Sequence, residues 1–188
     1  MNNKRVLIFM GSPRKEGNST ILAERAAQGA KRAGARVENF HLSRMNIRPC
    51  QACEFCRKKD SPGCIQNDDM QTLYPKLRAA DAIILAGPIY WFTISAQTKL
   101  LMDRLYALGG DNGHALAGKR IGIILTYADA DPFSSGAVNA LRSFQDAFAY
   151  IGAEIVGMVY GSAAKAGEVR SNAELLAKAY ALGKQIGA

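Results

Sequence analysis

Residues 4–20 read Lys-Arg-Val-Leu-Ile-Phe-Met-Gly-Ser-Pro-Arg-Lys-Glu-Gly-Asn-Ser-Thr, an apolar run that leads directly into a polar, glycine-containing turn. The run at Lys4–Met10 predicts a strand buried on both faces, because half-exposed strands alternate apolar and polar residues. A helix is predicted to begin at Asn18 or Ser19 and to end before Gly34, a residue suited to the position after a helix C-terminus. The stretch therefore predicts a strand, a turn and a helix.

The same alternation continues along the chain. It predicts further strands at Ala35–Phe40, Asp81–Ala86, Lys119–Tyr127 and Ala153–Tyr160, and further helices at Asp68–Ala79, Ser95–Leu108, Ser135–Ile151 and Ser171–Ile186. Strands that alternate with helices predict an α/β fold, a doubly wound five-stranded parallel sheet of order 2-1-3-4-5 with helices on both faces. Pro75 predicts a kink or a later start of its helix, and Ser171 with Glu174 forms a capping-box pattern.

Length and composition set the class of protein. The chain has 188 residues, which fits a single domain spanning 1–188 with a cysteine-rich insertion at 46–67. No apolar run approaches the roughly 20 residues of a membrane span, and strand-like sequence begins within four residues, so a cytoplasmic protein is expected. The net charge is +8, but the basic residues are scattered, so neither a nucleic acid nor a membrane is expected as a partner. Anionic nicotinamide cofactors or acidic electron carriers suit this charge.

The turn after the first strand has the composition of an anion site. In a sheet of this order, ligands bind beyond the carboxyl ends of the first and third strands. Backbone N–H groups at the start of a helix would meet a phosphate there. The turn lacks the spacing of a dinucleotide fold or of a P-loop, so a monophosphate fits better; an ordinary polar turn is the alternative. The candidate phosphate-binding residues are Ser12, Arg14, Asn18, Ser19 and Thr20.

The loop after the third strand carries three consecutive aromatic residues, among them the only tryptophan of the chain. A planar ligand stacked on or edged by these rings would explain them. The alternative is that the rings pack beneath the loop or at a dimer interface. The segment at 126–131, which begins with Thr126 and Tyr127 at the end of the fourth strand, is a third place for contact with a ring. The candidates in the aromatic loop are Pro88, Ile89, Tyr90, Trp91 and Phe92.

All four cysteines lie in one 15-residue window, at Cys50, Cys53, Cys56 and Cys64. Thiolates at two-residue gaps, with a fourth after a short excursion, resemble the ligands of a cubane iron–sulfur cluster. Zinc could use the same four sulfurs, and plain buried thiols are the third possibility.

Other polar residues carry weaker signals. His41 and His114 have no second histidine at ligand spacing and are interpreted as structural or exposed. Asp103 and Arg104 are predicted to form pairs on a helix face.

These motifs together resemble one known family. Gly-Ser-Pro-Arg at 11–14, Gly-Asn-Ser at 17–19, Pro-Ile-Tyr-Trp at 88–91 and the helix with Ser95, Lys99 and Met102-Asp103-Arg104 are similar to the flavodoxin-like NADPH-dependent FMN reductases over nearly the whole chain. The resemblance implies that the turn at 11–20 holds the FMN phosphate and that Pro88 to Phe92 line the isoalloxazine. It also implies that no residue of the protein acts as acid or base, since flavin N5 performs the chemistry.

The cysteine pattern is similar to the iron–sulfur flavoprotein branch of this superfamily, which implies a 4Fe-4S cluster on the four cysteines. The resemblance implies an oxidoreductase that takes electrons from NAD(P)H or a ferredoxin. It would pass them through FMN to a small acceptor such as a quinone, a flavin or an oxygen species. A homodimer or homotetramer is expected. A flavodoxin-type electron carrier without small-molecule turnover and a zinc-stapled module are the rival interpretations.

Overall fold

A central sheet organises the computed structural model, which describes residues 4–188. Its main strands are β1 (Arg5–Met10), β2 (Arg36–His41), β3 (Ala82–Tyr90), β4 (Arg120–Tyr127) and β5 (Glu154–Ser162). They lie in the order β2-β1-β3-β4-β5, and each neighbouring pair is parallel. The predicted flavodoxin-like order is therefore confirmed. The first three residues of the predicted domain lie outside the described part of the chain.

Helices cover both faces of this sheet. They are α1 (Asn18–Arg32), α2 (Met70–Ala79), α3 (Ala96–Arg104), α4 (Ala137–Tyr150) and α5 (Ala173–Gly187). The two faces are separate apolar clusters because side chains alternate along β1: Val6 and Ile8 pack with α1 and α5, whereas Leu7 and Phe9 pack with α2, α3 and α4. The core thus consists of two layers on either side of one buried sheet.

Helices α1 and α5 approach each other closely enough to exclude side chains at their crossing. A Cβ atom on Gly183 would lie 1.9 Å from the backbone oxygen of Ala26, and one on Gly29 would lie 2.1 Å from the backbone oxygen of Tyr180. Both contacts are with backbone, which cannot move aside cheaply. Glycine is therefore required at these two positions for the helices to pack together.

Several element boundaries differ from the predictions. Strand β3 was predicted to end at Ala86 but continues to Tyr90, since its last two residues pair antiparallel with a short strand at Thr93–Ile94. The helix predicted to reach Leu108 ends at Arg104, and one 3-10 turn follows it. Pro75 lies inside α2, which begins two residues later than predicted.

The cap of α5 also differs from the prediction. Asn172, not Ser171, occupies the N-cap, and its side-chain oxygen accepts a hydrogen bond of 2.9 Å from the N–H of Leu175. Asparagine is as good a cap as serine, so the capping-box spacing alone did not decide between the two neighbours.

The connection between β2 and α2 contains the cysteines and little regular structure. Within it, 3-10 turns occur at Leu42–Arg44 and Phe55–Arg57. A two-stranded hairpin of Gly109–Gly110 and Gly113–His114 lies between the turn after α3 and β4. Among residues 4–188, no helix has both the length and the apolar character needed to cross a bilayer.

Candidate functional site

The two loops selected by the sequence meet at the carboxyl ends of β1 and β3. The strands are adjacent, with Met10 opposite Ala86, and the N–H of Gly11 donates a 2.7 Å hydrogen bond to the carbonyl of Ala86. The Ser95 hydroxyl, which caps α3, donates a 3.0 Å hydrogen bond to the carbonyl of Gly11. These bonds join the turn at 11–20 and the aromatic segment along one edge of the sheet.

The turn at 11–20 presents unpartnered polar groups at the start of α1. The first N–H groups of a helix have no partner within the helix, and here they belong to a buried stretch from Asn18 to Thr20. The Ser19 hydroxyl, in a residue only 1% exposed, makes no hydrogen bond to the described residues, and the exposed guanidinium of Arg14 makes no ion pair with them. Free donors beside a helix N-terminus can bind an anion.

Two other side chains of the turn make hydrogen bonds within it. The Ser12 oxygen accepts a 3.2 Å hydrogen bond from the N–H of Arg14, and the Thr20 hydroxyl lies 3.5 Å from the Arg14 carbonyl. The N–H of Gly17 donates to the same carbonyl at 3.1 Å. These contacts fix the path of the turn and hold both hydroxyls close to the Arg14 backbone.

The side chain of Asn18 has a different environment from the one predicted. Its Nδ2 donates to the carbonyls of Ala163 (2.9 Å) and Lys165 (2.8 Å), and its Oδ1 accepts from the N–H of Val169 (3.2 Å). The amide group thus ties the start of α1 to the loop after β5, and its backbone N–H is the group that remains at the helix N-terminus. Sequence alone could not reveal partners 145 to 151 residues away.

The aromatic segment is a tight hairpin rather than the loop that was predicted. Ile89 pairs with Ile94 and Tyr90 with Thr93, which places Trp91 and Phe92 at the tip. Both tip residues have left-handed backbone angles, with φ of 46° and 61°, as the favoured two-residue hairpin turn requires. Such angles are costly for residues with large side chains, and strained residues of this kind cluster at functional sites. The indole of Trp91 is 92% exposed.

Helix α4 supports the hairpin from beneath. The backbone of Gly136, with φ of 73°, lies so close that a Cβ atom there would be 2.5 Å from the Cα of Phe92. The Asn139 side chain donates a 3.1 Å hydrogen bond to the carbonyl of Phe92. The orientation of the aromatic tip therefore depends on the first turn of α4.

A cleft of about 430 Å³ opens between the hairpin and the loop after β4. Burial, followed by the charges of Tyr160 and Asp131, raises the pKa of the Tyr127 phenol, so this group stays neutral near neutral pH. Pro88 and Thr126, which lie opposite each other within the sheet, do not line the cleft. The lining residues are Ile89, Tyr90, Trp91, Phe92, Tyr127, Ala128, Asp129 and Ser135. Ser135 was predicted as the start of a helix but not as a residue of the site, because nothing in the sequence distinguished it from other helix-capping residues.

The four cysteines are brought together in one place. They line a single small cavity of about 20 Å³, with Cys50 and Cys53 exposed and Cys56 and Cys64 half-buried. Burial raises the pKa of the Cys56 thiol, and Cys64 and Cys50 add to this effect, while Arg57 opposes it. Within residues 4–188, however, no three side chains of the metal-ligating types are arranged closely enough to hold an ion.

The backbone of the cysteine segment is unusual, and its walls contain unsatisfied groups. Ala52 and Glu54 have positive φ angles of 49° and 55°, which are unfavourable for residues other than glycine. Arg104 Nε and Gln66 Oε1 are buried without a hydrogen-bond partner in the described chain, and both residues line the cysteine cavity. Thiolate is a preferred ligand for iron in clusters, so the donor chemistry fits a cluster although this arrangement of the thiols does not converge on a metal.

Arg104 corrects the prediction made for the end of α3. Its neighbour Asp103 forms the expected surface pair, with Lys99 at 2.5 Å. Arg104, however, is 1% exposed and forms a two-pronged ion pair with Asp68, at 2.5 and 3.1 Å. Burial opposes the Arg104 charge, but the Asp68 carboxylate outweighs it and raises the pKa of the guanidinium. Burial likewise opposes the charge of Asp68, and Arg104 reverses the effect, so the pKa of that carboxyl is lowered.

Comparison with known proteins assigns the chain to a family. The sequence profile of NADPH-dependent FMN reductases matches residues 4–179, so the chain belongs to that family. Within the family, its relatives include iron–sulfur flavoproteins. It is 36% identical over 144 residues to an iron–sulfur flavoprotein of Methanocaldococcus jannaschii, and the match covers 77% of this chain and 70% of that protein. The predicted family and branch are therefore confirmed.

Two further comparisons bear on length and on fold. An iron–sulfur flavoprotein of Archaeoglobus fulgidus is 37% identical over 120 residues, which are 64% of this chain and 53% of that protein. The match thus spans about half of that relative. Among solved structures, the NAD(P)H:quinone oxidoreductase of Methanothermobacter marburgensis has a TM-score of 0.76 at 18% identity, with 99% and 98% of the two chains covered. At this identity the likeness establishes the fold.

Proposed function

We propose that this chain is an FMN-binding domain of an oxidoreductase that takes electrons from NAD(P)H and passes them to a small acceptor. One observation carries the proposal: a polar turn that leads into a helix N-terminus at the end of β1 is joined by hydrogen bonds to the segment with the aromatic cleft at the end of β3. A ligand with a phosphate at one end and a planar ring at the other matches these two parts. Family membership supports FMN as that ligand.

The turn would hold the phosphate. The N–H groups of Ser19 and Thr20 point along the start of α1, where the helix dipole favours negative charge. The unpartnered Ser19 hydroxyl and the free Arg14 guanidinium would add hydrogen bonds, the latter charge-assisted. Ser12 and Thr20 shape the turn and offer their hydroxyls, while Asn18 contributes its backbone N–H and anchors the helix through its side chain.

The hairpin and the loop after β4 would hold the ring. Ile89, Tyr90 and Trp91 offer an apolar and aromatic wall, and Tyr127 closes the cleft on the other side. Pro88 and Thr126 keep the two walls in register because they face each other in the sheet. The cleft remains open to solvent, so a nicotinamide or an acceptor can reach the ring.

The chain itself supplies binding and orientation rather than acid–base groups. When bound, FMN supplies the redox chemistry by accepting two electrons and releasing them singly or in pairs. The neutral Tyr127 phenol and the apolar hairpin would exclude water from one side of the ring. A quinone, a flavin or an oxygen species is the proposed acceptor; the relative from Methanothermobacter marburgensis is itself named a quinone oxidoreductase.

Anaerobic purification followed by absorption spectroscopy tests this function. We expect the two visible bands of oxidised flavin, and bleaching of those bands on addition of NADPH. A flavin that is bleached by a reduced ferredoxin but not by NADPH or NADH would indicate the electron carrier or ferredoxin-dependent alternative. A colourless protein that does not bind added FMN would contradict the proposal.

We also propose that Cys50, Cys53, Cys56 and Cys64 hold a 4Fe-4S cluster. The thiols share one cavity, its walls contain two unsatisfied buried atoms, and the relatives are named iron–sulfur flavoproteins. A rearrangement of the cysteine segment would be needed for the sulfurs to converge, and two of its cysteines, Cys50 and Cys53, are exposed. With a cluster on the four cysteines, a ferredoxin is proposed as a second donor of electrons.

Replacement of one cysteine tests the cluster. We expect Cys53→Ser to abolish iron and acid-labile sulfide incorporation and to leave FMN bound, because the cysteine cavity and the flavin cleft have different linings. Lys59→Ala, in the same segment, is the control and should retain iron. Full iron content in Cys53→Ser, or none in the unaltered protein after reconstitution, would contradict the ligand assignment.

The assembly of the protein is proposed to be a homodimer or homotetramer in the cytoplasm. Exposed aromatic residues near the cleft support this proposal, since Trp91 and Phe133 are 92% and 77% exposed and large exposed apolar patches mark interaction surfaces. Light scattering on the FMN-loaded protein would measure its mass, and a monomer would contradict the proposal.

A further inference from the structure

The buried Arg104–Asp68 pair lies outside the proposed flavin site and directly beneath the cysteine segment. Besides its two bonds to Asp68, the Arg104 guanidinium donates to the carbonyl of Arg48 at 2.8 Å and to the sulfur of Cys64 at 3.4 Å. Arg48 precedes the first cysteine by two residues, and Asp68 follows the last by four. One side chain from α3 therefore contacts both ends of the cysteine segment.

Hydrogen bonds between these two ends close the segment at its base. The Asp68 carboxylate accepts a 3.0 Å hydrogen bond from the N–H of Arg48, and the Gln66 side chain donates to the carbonyl of Pro49 at 2.9 Å. Asn46 and Asp69 exchange two more, since the N–H of Asn46 donates to the Asp69 carboxylate at 2.7 Å and the N–H of Asp69 donates to the Asn46 carbonyl. The segment between them is thus a closed loop whose base rests on Arg104.

Arg104 also has one hydrogen-bond donor without a partner in the wall of the cysteine cavity, within the described part of the chain. Four of the five N–H donors of Arg104 lie on Nη1 and Nη2, which carry all of its observed bonds, whereas the fifth, on Nε, is buried without a partner. A buried unpaired donor is costly. Replacement of a buried ion pair by apolar residues of similar volume often leaves the free energy of unfolding unchanged or raises it, so stability alone does not explain such a pair. The arrangement therefore suggests a role for the charge at this place.

We propose that Arg104, held by Asp68, is a positioning residue that orients Cys64 and sets the reduction potential of an iron–sulfur cluster on the four cysteines. The inference rests on the cluster proposed above. A cluster gains one negative charge when it accepts one electron, and a fixed positive charge and an N–H donor at a ligand sulfur stabilise that reduced form. Arg104 therefore raises the reduction potential, and Asp68 fixes the direction of the guanidinium.

The test compares midpoint potentials of reconstituted proteins by anaerobic redox titration followed by electron paramagnetic resonance. In the double variant Arg104→Met with Asp68→Asn, both charges are removed together, so neither is left buried and unpaired. We expect iron, sulfide and FMN contents close to those of the unaltered protein and a lower midpoint potential. A tenfold fall in the reduced-to-oxidised ratio at a fixed potential corresponds to about 59 mV for one electron.

Two further variants complete the design. Arg104→Lys retains a positive charge but lacks the planar fork, so we expect a potential between those of the double variant and the unaltered protein. This variant also tests the positioning role if the double variant does not fold, because an ammonium group lacks the fork that contacts Asp68 and Cys64 together, and an unchanged potential would overturn that role. Arg142→Met with Asp146→Asn removes the same residue types from the exposed ion pair on α4 and should leave the potential unchanged.

The outcomes separate this inference from the one on which it rests. Equal potentials in the double variant and the unaltered protein, both with full iron content, would overturn the role of Arg104 and leave the cluster in place. An unaltered protein that binds no iron after reconstitution would overturn both. A potential that falls in the double variant and is partly restored in Arg104→Lys would support the proposal.

Discussion

Arg14 is the residue on which we expect the affinity for a phosphate to depend most directly. Its guanidinium is exposed beside the first turn of α1 and makes no ion pair within the described chain, so no partner has to be given up for a ligand. A hydrogen bond to a charged group contributes about 1.5 to 3 kcal/mol. We therefore expect Arg14 to strengthen the binding of an anion at the N-terminus of α1.

We predict that Arg14→Ala weakens FMN binding by roughly ten- to a hundredfold, as that energy implies. The measurement is a fluorescence titration of the flavin-free protein with FMN. Lys15→Ala is the control, because it removes the same charge from the next residue of the turn. Equal affinities for Arg14→Ala and the unaltered protein would contradict the phosphate assignment.

His114 is a structural residue whose protonation should oppose folding. Its Nδ1 accepts a 3.1 Å hydrogen bond from the N–H of Leu116, and its Nε2 contacts the carbonyl of Leu105 at 3.1 Å. Burial lowers the pKa of this imidazole, the Leu105 carbonyl acts in the opposite direction, and the charges of Arg57 and Arg78 lower it further. The neutral form, with its proton on Nε2, satisfies both contacts.

The sign of the pH effect follows from this lowered pKa. The unfolded histidine, with a pKa of about 6.5, takes up a proton at a higher pH than the folded one. The contribution of His114 to stability is therefore complete above that pH and is lost progressively as the pH falls below it. We predict that His114→Asn, which can still accept from Leu116, loses less stability between pH 8 and pH 5 than the unaltered protein. Urea unfolding at both pH values measures this, and equal losses would contradict the assignment.

At the scale of elements, the first turn of α4 determines where the aromatic hairpin lies. Gly136 has a left-handed φ and touches the backbone of Phe92, so an added methyl group would meet backbone atoms that can move only together with the hairpin. The hairpin would have to shift. Since Tyr90 and Trp91 line the cleft, its shape would change with the hairpin.

We predict that Gly136→Ala both destabilises the protein and weakens FMN binding. The left-handed backbone alone costs alanine about 1 to 2 kcal/mol. Gly118→Ala is a matched control, because Gly118 has nearly the same φ, 74°, but no atom within 4 Å of the added carbon. It should lower the melting temperature and leave FMN affinity intact. Equal FMN affinities for the two variants would argue against the hairpin as part of the site.

The elements that could be predicted are those whose signal is local. The apolar runs of the five strands and the periodic helices indicated nearly every element, because burial on one face or both leaves a pattern within a few residues. The extension of β3 to Tyr90 could not be predicted, since it depends on pairing with Thr93–Ile94 through a turn with two large residues at positive φ. The Asn172 cap differed from the predicted Ser171 by one residue.

Side chains with distant partners could not be placed from the sequence. Asn18 had the composition of a phosphate ligand or cap, yet its side chain holds the loop after β5. Arg104 had the spacing of a surface residue, yet it pairs with Asp68, 36 positions earlier, in the interior. Neither partner is visible in the sequence because both contacts arise only when separate elements pack together.

At the scale of the whole molecule, the topology brings the two halves of the site together. Strand β1 lies beside β3 in the middle of the sheet, so the turn at 11–20 and the hairpin, about 70 residues apart in sequence, end at the same edge. The cysteine segment lies on the face covered by α2 and α3. Arg104, at the end of α3, donates hydrogen bonds to both ends of this segment. The proposed flavin site and the cysteine cavity therefore lie at separate places on one sheet.

The most direct test of this account is a titration of the flavin-free protein with FMN and with riboflavin, followed by the fluorescence of Trp91, the only tryptophan of the chain. We predict quenching by both ligands, because the ring lies near the hairpin, and at least tenfold tighter binding of FMN, because only FMN carries the phosphate. Equal affinities for the two ligands would contradict a phosphate site at residues 11–20. Binding of FMN without quenching would contradict a ring site at the hairpin.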